Sequence, residues 1–297
     1  MKIFITGIAG FVASNVANRL HELGHEVSGI DNMKFGRMEN LNPKIALYIG
    51  HMTFINRIKY HDADVLVHMA CDNIIYSQDK PIETFKTNAL RSIELINKYE
   101  GKIVYTSTAS VYGQADFVPT HESADIKVYN AYDQSKYITE LFLKQRGNYT
   151  TLRLSNVYGA NQRPENPYAG VVAKTIDSVR KNEGVIIYGD GNDTRDYTYI
   201  DDTVNAIIKA CEHNAMGTEI NIGTGKETSV NRLVDIIRSR LNYQGKSCHI
   251  ESRSIDKIQR RALDNNYAGE LLGWYPTINI EEGIRKTIEW QTKNYIL

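Results

Sequence analysis

The segment Thr6-Gly7-Ile8-Ala9-Gly10-Phe11-Val12-Ala13 follows a short apolar run at residues 2–6 and precedes a helical pattern in which Val16, Leu20 and Leu23 recur on one side. Its glycines let the backbone turn sharply and pass close to a ligand. The helix that follows directs free N–H groups and the positive end of its dipole at that ligand. Gly24 stands where such a helix is capped, and a second strand-like run at 26–30 ends in the acid Asp31. Strand, glycine turn, helix, strand and terminal acid, in that order, are the parts of a dinucleotide site. The turn meets the pyrophosphate and Asp31 accepts from the ribose hydroxyls. A carboxylate there repels a 2′-phosphate, so the expected cofactor is NAD rather than NADP.

The same alternation continues. Strand candidates lie at Lys2–Thr6, 26–30, Ala46–Ile49, Val65–His68, 103–107 and 151–154, and helical patterns fill 81–99 and 132–144. Repeated βαβ units predict an α/β fold with a Rossmann-type, doubly wound parallel sheet. Beyond Asn156 the pattern loosens into turn chemistry such as Tyr158-Gly159, Asn166-Pro167 and Gly189-Asp190-Gly191-Asn192. The expected organisation is a cofactor domain over 1–158, a segment at about 196–225 that returns to it, and a smaller C-terminal α/β substrate domain over 159–297. That domain ends in a helix at 281–295. Surplus apolar residues on the helices at 81–99 and 132–144 suit either a core or a dimer interface.

Charge narrows the function further. Lys and Arg number 35 and Asp and Glu also 35, so no global field attracts a nucleic-acid backbone, and nucleic acid is not expected as a partner. No stretch approaches the roughly 18 consecutive apolar residues of a membrane span, and the N-terminus reads directly as a strand, so neither membrane nor export is expected. The three cysteines, Cys71, Cys211 and Cys248, are odd in number and far apart, which fits a reducing cytoplasm and neither disulfides nor zinc. The triplets Asn148-Tyr149-Thr150 and Asn192-Asp193-Thr194 read as chance glycosylation matches. His21-Glu22-Leu23-Gly24-His25 matches a zinc-protease pattern, but Gly24 ends the helix before the second histidine, so no metal site is expected. The basic cluster Arg253, Lys257, Arg260 and Arg261 is interrupted by Asp256 and Asp264 and reads as a solvated face or a diphosphate clamp.

Two further signals carry chemistry. In Tyr132-Asp133-Gln134-Ser135-Lys136 the four-residue offset stacks Tyr132 and Lys136 on one helix face, where the ammonium can favour a phenolate and make the phenol a base. Thr106-Ser107-Thr108-Ala109-Ser110-Val111-Tyr112-Gly113 follows a strand, and hydroxyls at the carboxyl end of a parallel strand face the ligand crevice.

Together these residues resemble the extended short-chain dehydrogenase/reductase family, in its nucleotide-sugar epimerase/dehydratase branch. The resemblance rests on the glycine turn, Asp31-Asn32, Gly36-Arg37, His68-Met69-Ala70, Asn88, Thr108 before Val111-Tyr112-Gly113, and Tyr132 with Lys136. It continues through Arg153-Leu154-Ser155-Asn156-Val157-Tyr158-Gly159, Pro167-Tyr168-Ala169-Gly170, Tyr188-Gly189-Asp190-Gly191 and Thr194-Arg195-Asp196-Tyr197 to Asn221-Ile222-Gly223 and Leu271-Leu272-Gly273-Trp274, across essentially the whole chain. It implies a tightly held NAD and a nucleotide-diphosphate sugar substrate in a homodimeric enzyme. Tyr132 would take the hydroxyl proton, Lys136 would tune it and hold the nicotinamide ribose, and Thr108 would bind the sugar oxygen. Cofactor contacts would come from Gly7, Gly10, Phe11, Val12, Asp31, Asn32, His68, Ala70, Asn88 and Ser107, besides Tyr132 and Lys136. Asn156, Arg195 and Arg260 would bind the diphosphate.

Similar dehydratases and decarboxylases carry an acid just after the active-site threonine, where this chain has Ala109 and Ser110. The resemblance therefore implies 4-epimerisation of a UDP-hexose or UDP-hexuronate through a transient ketone. The alternatives are a 4,6-dehydratase or 4-reductase of the same branch and a non-catalytic dinucleotide sensor or scaffold. The chain departs from the branch at Ala13 for the third glycine, at Gly50-His51-Met52 for an adenine-binding acid, and at Cys71 for alanine. Arg261 falls at a position that shapes the sugar pocket in related 4-epimerases. It reads equally as a selector for an acidic sugar and as a surface charge.

Overall fold

The computed structural model describes residues 1–52, 60–214, 216–253 and 257–295; Asp256 lies outside them. In the first half of the chain, β1 (Lys2–Thr6), α1 (Phe11–Glu22), β2 (Glu26–Asp31), β3 (Ala46–Ile49) and β4 (Val65–His68) are followed by α2 (Ile74–Asp79), α3 (Pro81–Phe85), α4 (Ser92–Asn97), β5 (Lys102–Thr108), α5 (Ala131–Arg146) and β6 (Tyr149–Leu154). In the second half come β7 (Asn156–Tyr158), α6 (Val171–Arg180), β8 (Val185–Tyr188), β9 (Thr194–Arg195), β10 (Tyr197–Tyr199), α7 (Ile200–Glu212), β11 (Thr218–Ile222), β12 (Thr228–Ser229), α8 (Val230–Arg240), β13 (Ser247–Ile250), α9 (Asn266–Leu272) and α10 (Ile280–Asn294).

Seven strands form one parallel sheet in the order β11-β6-β5-β4-β1-β2-β3, with Ile5 between Gly29 and Val67, and Leu152 between Thr106 and Ile220. Alternate residues of its central strands enter separate cores. Ile3 and Ile5 pack with Val16, Leu20 and Ile207 on one face, and Phe4 packs with Leu95, Ile96 and Leu143 on the other. From β1 the chain winds outward through β2 and β3, and from β4 it winds the opposite way. The crevice between β1 and β4 is thus the switch point at which such sheets take ligands.

The helix expected over 81–99 is interrupted. Between α3 and α4 the backbone makes π-helical turns over Lys86–Arg91, and the Ser92 hydroxyl donates to the Thr87 carbonyl at 3.2 Å. Beyond β6 the chain builds three two-stranded pieces, β10 with β7, β12 with β9, and β13 with β8. β11 returns to pair with β6, a seventh strand beside the six read from the sequence. No described helix is long and apolar enough to cross a membrane, and no described group of His, Cys, Asp or Glu could hold a metal ion.

Candidate active site

A cavity of about 470 Å³ opens at the switch point. Its floor is the glycine turn. Gly7 has φ +69°, and a Cβ there would lie 2.9 Å from the Ala70 backbone, so this turn has room only for hydrogen. Phe11 opens α1 with Gly10 as its N-cap, and Gly10 makes no side-chain cap, so the first turn of the helix faces the crevice bare. Asp31, at the end of β2, is buried and accepts from the N–H of Ala9 at 3.0 Å and of Met33 at 2.8 Å. Burial holds its carboxyl above the usual value, although both N–H groups pull the other way.

Of the expected cofactor contacts, Gly7, Gly10, Phe11, Val12, Asp31 and Asn32 line this cavity, and so do Ala70, Ser107, Tyr132 and Lys136. His68 and Asn88 do not. His68 is fully buried, with Nδ1 2.7 Å from the Thr6 hydroxyl and Nε2 2.8 Å from that of Ser92, so both ring nitrogens are spent inside the protein. Desolvation and the nearby Lys136 charge lower its pKa to about 3, which keeps the ring neutral. Asn88 accepts from the Asp72 N–H at 2.7 Å and donates to the Asp72 carbonyl at 2.9 Å and to Ser135 at 3.2 Å. These two residues brace the crevice wall from behind.

The reacting groups come from β5 and α5. Asn130 caps α5 by accepting from the Asp133 N–H at 3.0 Å, and its amide donates back to the Asp133 carboxylate at 2.7 Å. This closed cap fixes the first turn of α5, where Tyr132 sits. One turn on, buried Lys136 rests its ammonium 4.3 Å from the centroid of the Tyr105 ring. Burial raises the Tyr132 phenol above its ordinary value, Cys71 adds to that, and the Lys136 charge opposes it. The sequence alone suggested a phenol tuned downward. Here desolvation by burial works against the lysine. Thr108 reaches Ser110 by a 3.0 Å hydroxyl contact, and Ser107 presents a buried hydroxyl with no protein partner, as a group awaiting a ligand does.

Of the expected substrate contacts, Thr108 and Asn156 line the same cavity, whereas Arg195, Arg260 and Arg261 stand outside its lining. Arg260 points away, its guanidinium paired with Glu227 at 3.0 and 2.6 Å, so the diphosphate role expected of it is not supported by its position. Arg261 turns inward, with its Nε buried, and feels the charges of Arg195, Asp133 and Tyr132. Sequence reasoning missed three features. Lys34 bridges to Asp72 at 3.1 Å and stacks 3.5 Å from the Tyr76 ring, and Phe35 meets Tyr168 edge-on at 5.0 Å across the crevice mouth. Asp133 is a buried carboxyl beside Tyr132, and the spacing of Asn130 and Asp133, that of a capping box, was the signal for it.

The residues present fit a dinucleotide: a glycine floor, a bare helix N-terminus, an acid at the end of β2 and an unpartnered Ser107 hydroxyl in the lining of one cavity. Comparison with known proteins agrees. The sequence model of the NAD dependent epimerase/dehydratase family matches residues 3–223. The chain is 32% identical over 309 residues to a UDP-glucose 4-epimerase of Mycolicibacterium smegmatis, covering 98% of each protein. The crystal structure of a UDP-glucose 4-epimerase from Thermotoga maritima, solved with UDP-glucose, superposes with a TM-score of 0.95 at 33% identity over 100% of both chains. MoeE5, solved with UDP-glucuronic acid and NAD, superposes with a TM-score of 0.89 at 25% identity, over 99% of this chain and 100% of that one.

Proposed function

The chain belongs to the NAD dependent epimerase/dehydratase family, and on that premise we propose that it is a nucleotide-sugar 4-epimerase acting on a UDP-hexose or UDP-hexuronate. The observation that carries this reading is the convergence of Thr108, Tyr132, Lys136 and Asn156 on one crevice with the glycine turn, while Ala109 and Ser110 supply no acid after the threonine. NAD, when bound, would accept a hydride from the sugar and return it.

In this reading Tyr132 exchanges a proton with the sugar hydroxyl, and Thr108, lining the same cavity, hydrogen-bonds the same oxygen. Lys136, fixed on the Tyr105 ring, opposes the desolvation of Tyr132 and so favours the phenolate needed for proton removal. Asn156, which lines the crevice, would offer its amide to the diphosphate. With the hydride returned to the opposite face of the ketone carbon and the proton returned to its oxygen, only the configuration would change. We also propose that two copies pair through α3, α5 and the π-helical turns between α3 and α4, because Ile82, Leu90, Ile138 and Leu141 are exposed there; light scattering at working concentration tests this.

Asp133 favours one second reading. A carboxyl close to Ser110 stands near the place where dehydratases of this branch carry theirs, and burial raises its pKa, which suits an acid. Proton NMR of the protein with NAD and a panel of UDP-, GDP-, dTDP- and CDP-sugars separates the two. A stereoisomer with no net change of cofactor supports the epimerase; a 4-keto-6-deoxy product supports the dehydratase and overturns it.

A further inference from the structure

Lys136 lines the crevice as a cation only 2% exposed, and among the described residues no carboxylate, carbonyl or hydroxyl pairs with its ammonium. The carboxylates around it are taken. Glu140 stands one turn further along α5, at the spacing that pairs Lys with Glu on a helix, but Arg153 holds both its oxygens, at 2.7 Å through Nη2 and 3.3 Å through Nε. Asp133 is bound by the Asn130 amide at 2.7 Å, and Asp72 by Lys34 at 3.1 Å. What the ammonium meets instead is the Tyr105 ring, with Nζ 4.3 Å from its centroid. The ring quadrupole attracts a cation there, and most strongly where water is excluded.

The ring is itself fixed. Tyr105 is 1% exposed, stands in register with His68 of β4, and stacks on the His68 ring at 5.6 Å and 22°. His68 is held in turn by the hydroxyls of Thr6 at 2.7 Å and Ser92 at 2.8 Å. With its pKa lowered to about 3 it is neutral, so no second cation competes for the Tyr105 ring. Tyr105 shares its core with Leu95, Ile96 and Leu143. Its hydroxyl donates to the Lys136 carbonyl at 3.4 Å, a long contact, so the hold on the ammonium belongs to the ring and not to the hydroxyl.

The kind of partner matters. A carboxylate against Lys136 would cancel its charge as seen by its neighbours, whereas an aromatic ring carries no net charge and leaves the field of the ammonium whole. Resting on the nucleotide-sugar reading above, we propose that Tyr105 is a positioning residue, whose ring holds the Lys136 ammonium in the crevice one helical turn from Tyr132 and leaves that charge free to favour the phenolate. Of the groups that act on the Tyr132 phenol, Cys71, Tyr105 and Asp133 oppose the phenolate and Lys136 favours it, while Glu140 and Cys71 act on Tyr105 itself.

The test compares the NAD-loaded wild type with Tyr105→Phe, which keeps the ring, and with Tyr105→Leu and Tyr105→Met, which lack it; either of the last two serves if the other does not fold. Proton NMR of protein carrying isotope-labelled lysine reads the position of Lys136, whose signal is identified by its loss in Lys136→Arg. The ring current should move its ε-methylene upfield in the wild type and in Tyr105→Phe, and the shift should vanish without the ring. With UDP-glucose and UDP-glucuronate as substrates, loss of the ring should lower kcat about tenfold and leave KM within about twofold. It should also move the acid limb of the kcat profile to higher pH, and Tyr105→Phe should restore both. A lysine signal that stays in place without the ring overturns the proposal. So does a fall in kcat with the acid limb unmoved, or a Tyr105→Phe variant as slow as Tyr105→Leu. The NMR reading needs no turnover. A ring-dependent lysine signal with no sugar converted therefore counts against the epimerase reading alone, and epimerisation with an acid limb indifferent to the ring counts against this proposal alone.

Discussion

Replacing Glu140 by Gln tests what ties α5 to the sheet. Glu140 is 0% exposed and Arg153 2% exposed, and they meet through Nη2–Oε2 at 2.7 Å and Nε contacts of 3.3 Å to both oxygens. Glutamine keeps the volume and one acceptor oxygen but removes the charge and turns an NH2 toward the buried guanidinium, whose other acceptors are the Tyr112 hydroxyl at 2.8 Å and the Glu122 carbonyl at 3.4 Å. Breaking one side of such a pair costs about 3–5 kcal/mol, because the survivor is left uncompensated. At about 2–3 °C per kcal/mol this lowers Tm by roughly 6–15 °C. The assay is thermal unfolding followed by circular dichroism at a single scan rate. The double variant Glu140→Leu with Arg153→Met removes both charges and should regain most of the loss, since Tyr112 keeps Asn221 as an acceptor at 2.8 Å. A single variant that melts within about 1 °C of the parent would refute the reasoning. So would a double variant that melts no higher than the single one.

Tyr132→Phe should lower kcat by about 10²–10⁴-fold and leave NAD affinity within a few-fold in a fluorescence titration, whereas unchanged turnover removes Tyr132 from the mechanism. Gly7→Ala must place a methyl 2.9 Å from the Ala70 backbone at φ +69°, and should lose about 1–3 kcal/mol of stability and most NAD binding; wild-type affinity would show that the turn has slack. The pKa of His68 falls to about 3 in the folded protein against 6.5 ordinarily, so the unfolded chain binds the extra proton between those values and stability must fall as pH drops from 6.5. His68→Asn should therefore flatten the pH dependence of urea unfolding over pH 6.5–4, by up to about 1.4 kcal/mol per pH unit. An undiminished slope would place the acid sensitivity elsewhere.

The sequence made the central strands readable because a parallel strand is buried on both faces, and β1, β4 and β5 are near-continuous apolar or β-branched runs. β11 escaped because Glu219 and Asn221 interrupt its apolar residues. Their partners, Tyr149, Tyr112 and Thr120, lie some 70 to 110 residues away, and that pairing is invisible in one dimension. Tyr132, Lys136 and Thr108 were legible because local spacing places them. The direction of Arg261 was not, because it is imposed by Asp196 holding Leu263 across 67 positions. His68 and Asn88 stand at strand and helix positions that suggest ligand contact. Their polar atoms are instead consumed by Thr6, Ser92 and Asp72, a matter of side-chain direction that no motif encodes. The Lys34, Phe35 and Tyr168 contacts join two loops, where sequence carries no periodicity to read.

The edge contact of Phe35 with Tyr168, beside the Lys34 bridge to Asp72, joins the two halves of the chain over the mouth of the crevice. In the proposed reaction the dinucleotide would end each cycle in the form in which it began, so nothing in the chemistry asks it to leave. In that reaction a carrier regenerated within each cycle would act as a built-in part of the catalyst rather than a currency exchanged with the surroundings. The flux between the two sugar isomers then follows their own concentrations and is insulated from the balance of oxidised and reduced dinucleotide outside.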